Sequence, residues 1–182
     1  MNDRLNALAI TDMLTGLYNR QGFAKKIEEN SNNKNSVSIL YADLDNFKYY
    51  NDTFGHDVGD LILVEFARVF REVSEKNGYA VRYGGDEFLV VLNNVSDEKI
   101  RKVVEQIYES IADGFEDAVS EYKNKKVNIP MEKRVSCSIG IASSNNATGE
   151  TIKETLQRAD EALYYMKKNH KGSYILWDEI NG

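Results

Sequence analysis

The 182 residues carry a formal net charge of −6, with 42% hydrophobic residues, 29% charged residues and a single proline. That length fits one globular domain with a sizeable core. The acidic balance excludes a binder that tracks nucleic-acid phosphates, whose footprint must be basic. A nucleotide held by such a chain is held by a metal ion and a few chosen lysines. Cys137 is the only cysteine, so no internal disulfide forms and a reducing compartment is the simpler setting. The longest apolar-rich run, LILVEFARVF, is interrupted by Glu65 and Arg68 and is too short to span a bilayer. The N-terminus has neither the basic start nor the apolar core of a signal peptide. The expected location is the cytoplasm, either free or as the cytosolic part of a longer, membrane-anchored protein with an upstream sensor.

In chain order, Phe23, Ala24 and Ile27 predict a short amphipathic helix, and ENSNNKN (29 to 35) reads as a loop. VSILYADLD (37 to 45) reads as a buried strand ending in acid. Residues 60 to 76 predict a helix with Ile62, Phe66, Val69, Phe70 and Val73 inward, at the 3.6-residue period. YAVRY and EFLVVL are strand-like and flank Gly84-Gly85, which predicts a two-residue hairpin loop with both glycines at positive φ. Ser96 is the expected N-cap of a helix carrying Ile100, Val103, Val104, Ile107 and Ile111. Residues 114 to 133 read as a helical extension followed by a loop at Pro130. RVSCSIGIA (134 to 142) is a strand with Val135, Cys137 and Ile139 on one face. Thr151 and Glu154 form a capping box for a helix with Ile152, Leu156, Ala159, Leu163 and Met166 inward, and SYILWD closes the chain as a strand. The order α-β-α-β-β-α-β-α-β, with a hairpin at its centre, argues against an all-parallel doubly wound sheet and for an α+β sheet with helices packed on its faces.

Acid meets strand twice: at Asp43 and Asp45, and at Asp86 and Glu87 just after the glycines. If the two strands are neighbours, Asp43 and Asp86 converge at one end of the sheet. Converging carboxylates repel unless protonated or bridged by a cation. Oxygen ligands with open positions suit Mg²⁺, which keeps waters and shares its shell with phosphates. The competing reading of an acid beside a turn is a solvated hairpin residue. A calcium loop at DLDNFKYYNDTF fails, because the required glycine is Lys48 and the required glutamate is Phe54. Lys48, Lys167 and Lys171 could complete a phosphate site, the last two lying four apart near the end of the last helix, on one face. Neither a Walker glycine loop nor a G-x-S-x-G elbow is present, and the two histidines and Cys137 lack metal-ligand spacing. Metal-assisted phosphoryl or nucleotidyl chemistry is the best reading of these residues.

Five motifs in order resemble a known family: DMLTGLYNR (12 to 20), DLDNFKYYNDTFGHDVGD (43 to 60), GGDEF (84 to 88), SCSIGIA (136 to 142) and ADEALYYMKKNHKG (159 to 172). Together they resemble the GGDEF domains, the diguanylate cyclases of bacteria, over nearly the whole chain. The resemblance implies one domain over 1–182, with about the first ten residues the tail of an upstream signalling helix. It implies a fold like the palm of polymerases and nucleotidyl cyclases (ferredoxin-like), with a central, mostly antiparallel sheet. The implied reaction turns two GTP into cyclic di-GMP and two pyrophosphates.

By position, Asp43, the backbone carbonyl of Leu44 and Asp86 resemble the ligands of Mg²⁺, with Mn²⁺ as a substitute. A second ion could lower the pKa of the attacking 3′-hydroxyl. Asn51 and Asp60 resemble the guanine readers, and Lys48, Lys167 and Lys171 the phosphate contacts. Lys171 stands where the family often has arginine, which exchanges a fork for a point charge and implies a weaker grip. Gly84 and Gly85 would let the nucleotide approach the backbone. Glu87, or Asp86 itself, is the candidate base. His56 is expected to be a structural hydrogen-bonder at the nucleotide pocket, and Asp12 and Arg20 are expected to pair. The symmetric product implies two copies of the domain facing each other about a two-fold axis. Many members carry R-x-x-D ahead of the signature, which binds product and inhibits. Glu75 and Gly78 stand there instead, so no tight inhibition by that route is expected. A catalytically silent GTP-binding module that regulates a partner is the alternative.

Overall fold

A computed structural model describes residues 9–29, 35–144 and 151–181. Along the chain run α1 (Arg20–Glu29), β1 (Val37–Asp45), α2 (Phe47–Phe54), α3 (His56–Ser74), β2 (Gly78–Arg82) and β3 (Glu87–Asn93). Then come α4 (Asp97–Ser110), α5 (Glu116–Tyr122), a 3₁₀ turn (Met131–Lys133), β4 (Ser136–Ser143), α6 (Ile152–Asn169), β5 (Tyr174–Leu176) and α7 (Trp177–Asn181). The strands form one sheet in the order β2-β3-β1-β4-β5. All neighbours are antiparallel except β4 and β5. This is the expected α+β architecture.

β1 is the centre of the sheet and buries both of its faces. Side chains alternate across a strand, so Leu40, Ala42 and Leu44 face one way and Ile39 and Tyr41 the other. Against the first set pack Ile62, Phe66 and Phe70 of α3 and Ile100, Val104 and Ile107 of α4. Against the second pack Phe23 of α1 and Ala159 and Leu163 of α6. The strand therefore reads as a nearly continuous apolar run, broken by the buried Ser38, until its last three residues, where Asp43 and Asp45 turn toward the α1/α6 side.

Helix ends signalled by local chemistry stand where expected. The Ser96 side chain accepts the Lys99 amide, and both arms of the Thr151–Glu154 capping box are made. Ile111 is buried just beyond α4. Other expectations need correction. The helix expected over 60–76 begins at His56 and is preceded by α2, from which the break at Gly55 (φ 98°) separates it. Ala24 faces solvent, leaving Phe23 as the buried anchor of α1. Residues 114 to 133 hold a separate helix, α5, because Gly114 and Phe115 take left-handed φ of 63° and 58° and break the path from α4. SYILWD is strand only over Tyr174–Leu176, since β4 offers it three partners and Glu179 then caps the Leu176 amide to start α7. The loop expected at 29 to 35 lies mostly outside the described residues, as do residues 1–8.

The bend at the glycines also differs from expectation. Neither Gly84 nor Gly85 has positive φ, and four residues, 83 to 86, join β2 to β3. Side chains and a neighbouring strand set this shape. The amides of Tyr83 and Gly84 both donate to the Glu87 carbonyl, at 2.8 and 3.2 Å. Arg82 donates from Nε and Nη2 to the Gly85 carbonyl at 3.1 and 2.8 Å. The Leu44 amide donates to the Asp86 carbonyl at 3.2 Å, which ties the bend to β1. A Cβ at Gly84 would meet the Glu87 carboxylate and push that side chain aside, whereas Gly85 faces open space.

Candidate functional site

The end of β1 and the glycine bend meet. Asp43 lies directly opposite Glu87 on one side and Ser138 on the other, and directly opposed residues of an antiparallel pair share a face. Asp86 stands next in chain, with its carbonyl on the Leu44 amide. Burial, then the charges of Asp86 and Asp45, push the Asp43 carboxyl above the usual carboxylate range, against the pull of Lys167. Acids so placed call for a cation.

Lys167 of α6 supplies one. Its ammonium pairs with the Asp43 carboxylate, donates to Asp45 Oδ1 at 2.8 Å and to the Leu44 carbonyl at 3.2 Å. Burial opposes its charge, yet the bonds to Asp43 and Asp45 hold it above the ordinary lysine range. Asp45, for which the sequence suggested no role, is buried and also accepts the Ser138 hydroxyl at 2.6 Å and the Gly172 amide at 3.1 Å. Its two-residue spacing from Asp43 was the available signal, since it puts both acids on one face.

The remaining candidates are spread around this centre. Lys48, on α2, is exposed and pairs with Asp52 at 2.8 Å. Asn51 packs its side-chain amide against Gly59, where any Cβ would collide with it, and so adjoins the turn of α3 that exposes Asp60. His56 is exposed at the first position of α3, and its side chain makes no hydrogen bond among the described residues. Lys171 does not share a helix face with Lys167. The helix ends at Asn169, His170 leaves helical geometry (φ −152°, ψ 70°), and Lys171 is exposed in the turn beyond. Glu87 accepts the Tyr41 hydroxyl at 3.2 Å. Asp12 pairs with Arg82 at 3.1 Å rather than with Arg20, whose guanidinium lies over the Tyr83 ring. Arg82 is thus a residue that motif reading missed: it fixes the bend that carries Asp86. Glu75 and Gly78 line a cleft of about 370 Å³ beside Arg71, and a Cβ at Gly78 would collide with the Val91 carbonyl.

The donor set at the strand end is all oxygen: Asp43, the Leu44 carbonyl and Asp86. Among the described residues no three acidic, histidine or cysteine side chains converge as a complete cage. Two carboxylates and a carbonyl fit a hard divalent ion that keeps water and takes further oxygens from a phosphate. That a protonated amine is drawn to the same oxygens supports the fit.

Comparison with known proteins agrees with this geometry. Residues 9–173 match the model of the family described as "Diguanylate cyclase, GGDEF domain". The chain is 36% identical to Diguanylate cyclase A of Treponema denticola over 182 residues, covering 96% of this chain and 46% of that protein. It is 32% identical to Cyclic di-GMP phosphodiesterase PdeR of Escherichia coli, covering 96% of this chain and 25% of that protein. It therefore spans less than half the length of these relatives. Its fold is similar to that of the coiled coil and GGDEF domain of DgcB from Caulobacter crescentus, solved in complex with c-di-GMP. That likeness has a TM-score of 0.77 at 24% identity and covers 96% of this chain and 89% of that one. With the family matched from Ala9 to Ser173, and with the acids of its signature meeting the end of the central strand, this chain belongs to the GGDEF family of diguanylate cyclase domains.

Proposed function

We propose that residues 1–182 act as one catalytic domain that, in a pair of identical copies, condenses two GTP into cyclic di-GMP and two pyrophosphates. The observation that supports this reading is that Asp43 and the Leu44 carbonyl share the Lys167 ammonium at the end of β1, while the bend bearing Asp86 is bonded to that strand end and its charge acts on Asp43. These three oxygen donors would hold Mg²⁺, or Mn²⁺ in its place. When bound, the ion offsets the charge that builds on the leaving pyrophosphate.

The chain's own groups do the rest. Asn51 and Asp60 receive the guanine, whose N1–H and N2 amino group are donors that suit a carboxylate. Adenine presents an acceptor at N1, so Asp60 argues against an ATP-using relative. Lys48, Lys167 and, as a point charge, Lys171 hold phosphate oxygens, while the open face of Gly85 and the close-packed Gly84 keep the bend clear for the nucleotide. The 3′-oxygen of one GTP forms a bond to the α-phosphorus of the other. The bond from that phosphorus to the bridging oxygen breaks, pyrophosphate leaves, and the hydroxyl proton passes to Glu87 or Asp86. His56, exposed at the first position of α3, is assigned to the same nucleotide pocket.

The experiment is incubation of the purified chain with Mg²⁺ and GTP or ATP, followed by chromatography of the products. Cyclic di-GMP from GTP alone is the expected result. Asp86→Ala should abolish turnover, and unchanged turnover would remove Asp86 from the site. The second reading, a silent GTP-binding module, draws on the resemblance to a relative named as a phosphodiesterase. GTP binding without product at high protein concentration would favour it.

A further inference from the structure

Lys167 stands among the oxygens that the cyclase reading assigns to a divalent ion. An ammonium has three donors and no acceptor, and here the three meet three acceptors: Asp43, Asp45 and the Leu44 carbonyl. Two of those acceptors belong to the proposed ion-binding set. The third, Asp45, does not. It is buried and fixed by Ser138 and the Gly172 amide, so it keeps its place whichever cation occupies the other two. The Lys167 side chain retains a quarter of its exposure, which leaves it a path toward solvent.

Two cations that compete for the same carboxylate and carbonyl repel each other, and Mg²⁺ gives up its water reluctantly. An ion arriving alone must displace an ammonium that already neutralises Asp43. An ion arriving with a triphosphate brings oxygens that can receive that ammonium. We propose that Lys167 is an internal stand-in cation. It holds the strand end preformed in the free domain, excludes a lone divalent ion, and turns about its Asp45 anchor toward phosphate when ion and nucleotide arrive together. Ion and nucleotide then bind cooperatively, each requiring the other to move the lysine. This inference rests on the ion placement given under Proposed function.

The test titrates Mn²⁺ alone into the nucleotide-free protein by calorimetry. Lys167→Met should bind Mn²⁺ roughly tenfold more tightly than the wild type, within the usual range of coupling between sites. Lys167→Arg, which keeps the charge, should stay as weak as the wild type. Adding Asp43→Asn to Lys167→Met should erase the gain and so locate it. A non-hydrolysable GTP analogue with Mn²⁺ should show the reverse order, the wild type binding more tightly than Lys167→Met. Lys167→Gln serves as an independent variant should methionine compromise folding. Unchanged Mn²⁺ affinity in the methionine and glutamine variants, or a gain that survives loss of Asp43, would overturn the proposal. Failure to make cyclic di-GMP would sink the cyclase reading and leave the ion-only result standing. Turnover without any gain in Mn²⁺ affinity would sink only the stand-in role.

Discussion

Asp12 shows how one carboxylate steadies a site it never touches. It accepts the Thr15 hydroxyl at 2.7 Å, the Thr15 amide at 2.9 Å and Arg82 Nη1 at 3.1 Å. Arg82 in turn clamps the Gly85 carbonyl, so the chain of bonds reaches the bend that bears Asp86. Burial works against the Asp12 charge, but the bonds from Thr15 and Arg82 outweigh it and hold the carboxyl below its ordinary range. A carboxyl whose pKa is lower folded than unfolded adds stability above the unfolded value, and that stability is lost as pH falls through the folded value. Asp12→Asn should therefore cost about 1 kcal/mol at neutral pH, a hydrogen-bonded charge discounted for partial exposure. The deficit should vanish at the acid end of the carboxylate range. Urea unfolding of both proteins across pH measures it. A deficit that does not change with pH would mean that the charge is not what Asp12 contributes.

Among the elements, α2 depends on a distant part of the chain. Its Tyr50 is fully buried, donates its hydroxyl proton to the Gly114 carbonyl at 2.6 Å and accepts the Val135 amide at 3.1 Å. Burial is the main cause that pushes the phenol up to about 12, so it remains a neutral donor. Asn46, in left-handed conformation ahead of α2, donates to the carbonyls of Glu132 and Arg134 at 3.2 and 3.0 Å. The segment around 114 to 135 thus clasps the helix that carries Lys48 and Asn51. Tyr50→Phe leaves a buried amide and a buried carbonyl without their partner and should cost about 1 to 3 kcal/mol of stability. If the clasp also orients α2, GTP affinity should fall by more than it does in an equally destabilised variant such as Ile107→Val, which lies away from α2. Denaturant midpoints and nucleotide titration read the two effects separately, and equal affinity losses would confine Tyr50 to stability.

This clasp also marks the limit of what the sequence disclosed. Ser96 and the Thr151–Glu154 pair announce their helices because a cap is a contact between residues three apart. The strand VSILYADLD was legible because burial on both faces of a central strand writes a mostly apolar run, and the acids of GGDEF because they stand together in one short motif. α2 was not legible, because its ends are set by Asn46 and Gly55 conformations and by bonds to residues some 90 positions away. The bend at Gly84-Gly85 looked like a local two-residue turn. Its shape is fixed instead by Arg82, Glu87 and the Leu44 amide of another strand. Lys167 and Asp45 form their pair across 122 positions, and no spacing rule reaches that far.

At the scale of the whole molecule, the proposed reaction is incomplete in one copy. A domain with one nucleotide site holds one GTP, yet cyclic di-GMP has two equivalent phosphodiester links. The two-fold symmetry of the product is met when two domains face each other, so that each 3′-hydroxyl lies against the α-phosphorus held by the partner. A net charge of −6 on each copy makes that approach unfavourable at low ionic strength, before nucleotide charge is added. Screening at physiological salt shortens the reach of this repulsion to roughly 8 Å. Specific activity should therefore rise with domain concentration and level off once pairs predominate. At a low fixed concentration it should rise with modest added salt before weakened nucleotide binding reverses the trend. Adding excess Asp86→Ala domain should depress wild-type turnover, since mixed pairs lack one of the two ion sites. Product formation per domain that stays constant on dilution, and is indifferent to the inactive variant, would mean that a single copy closes the ring and would remove the two-fold pair from the mechanism.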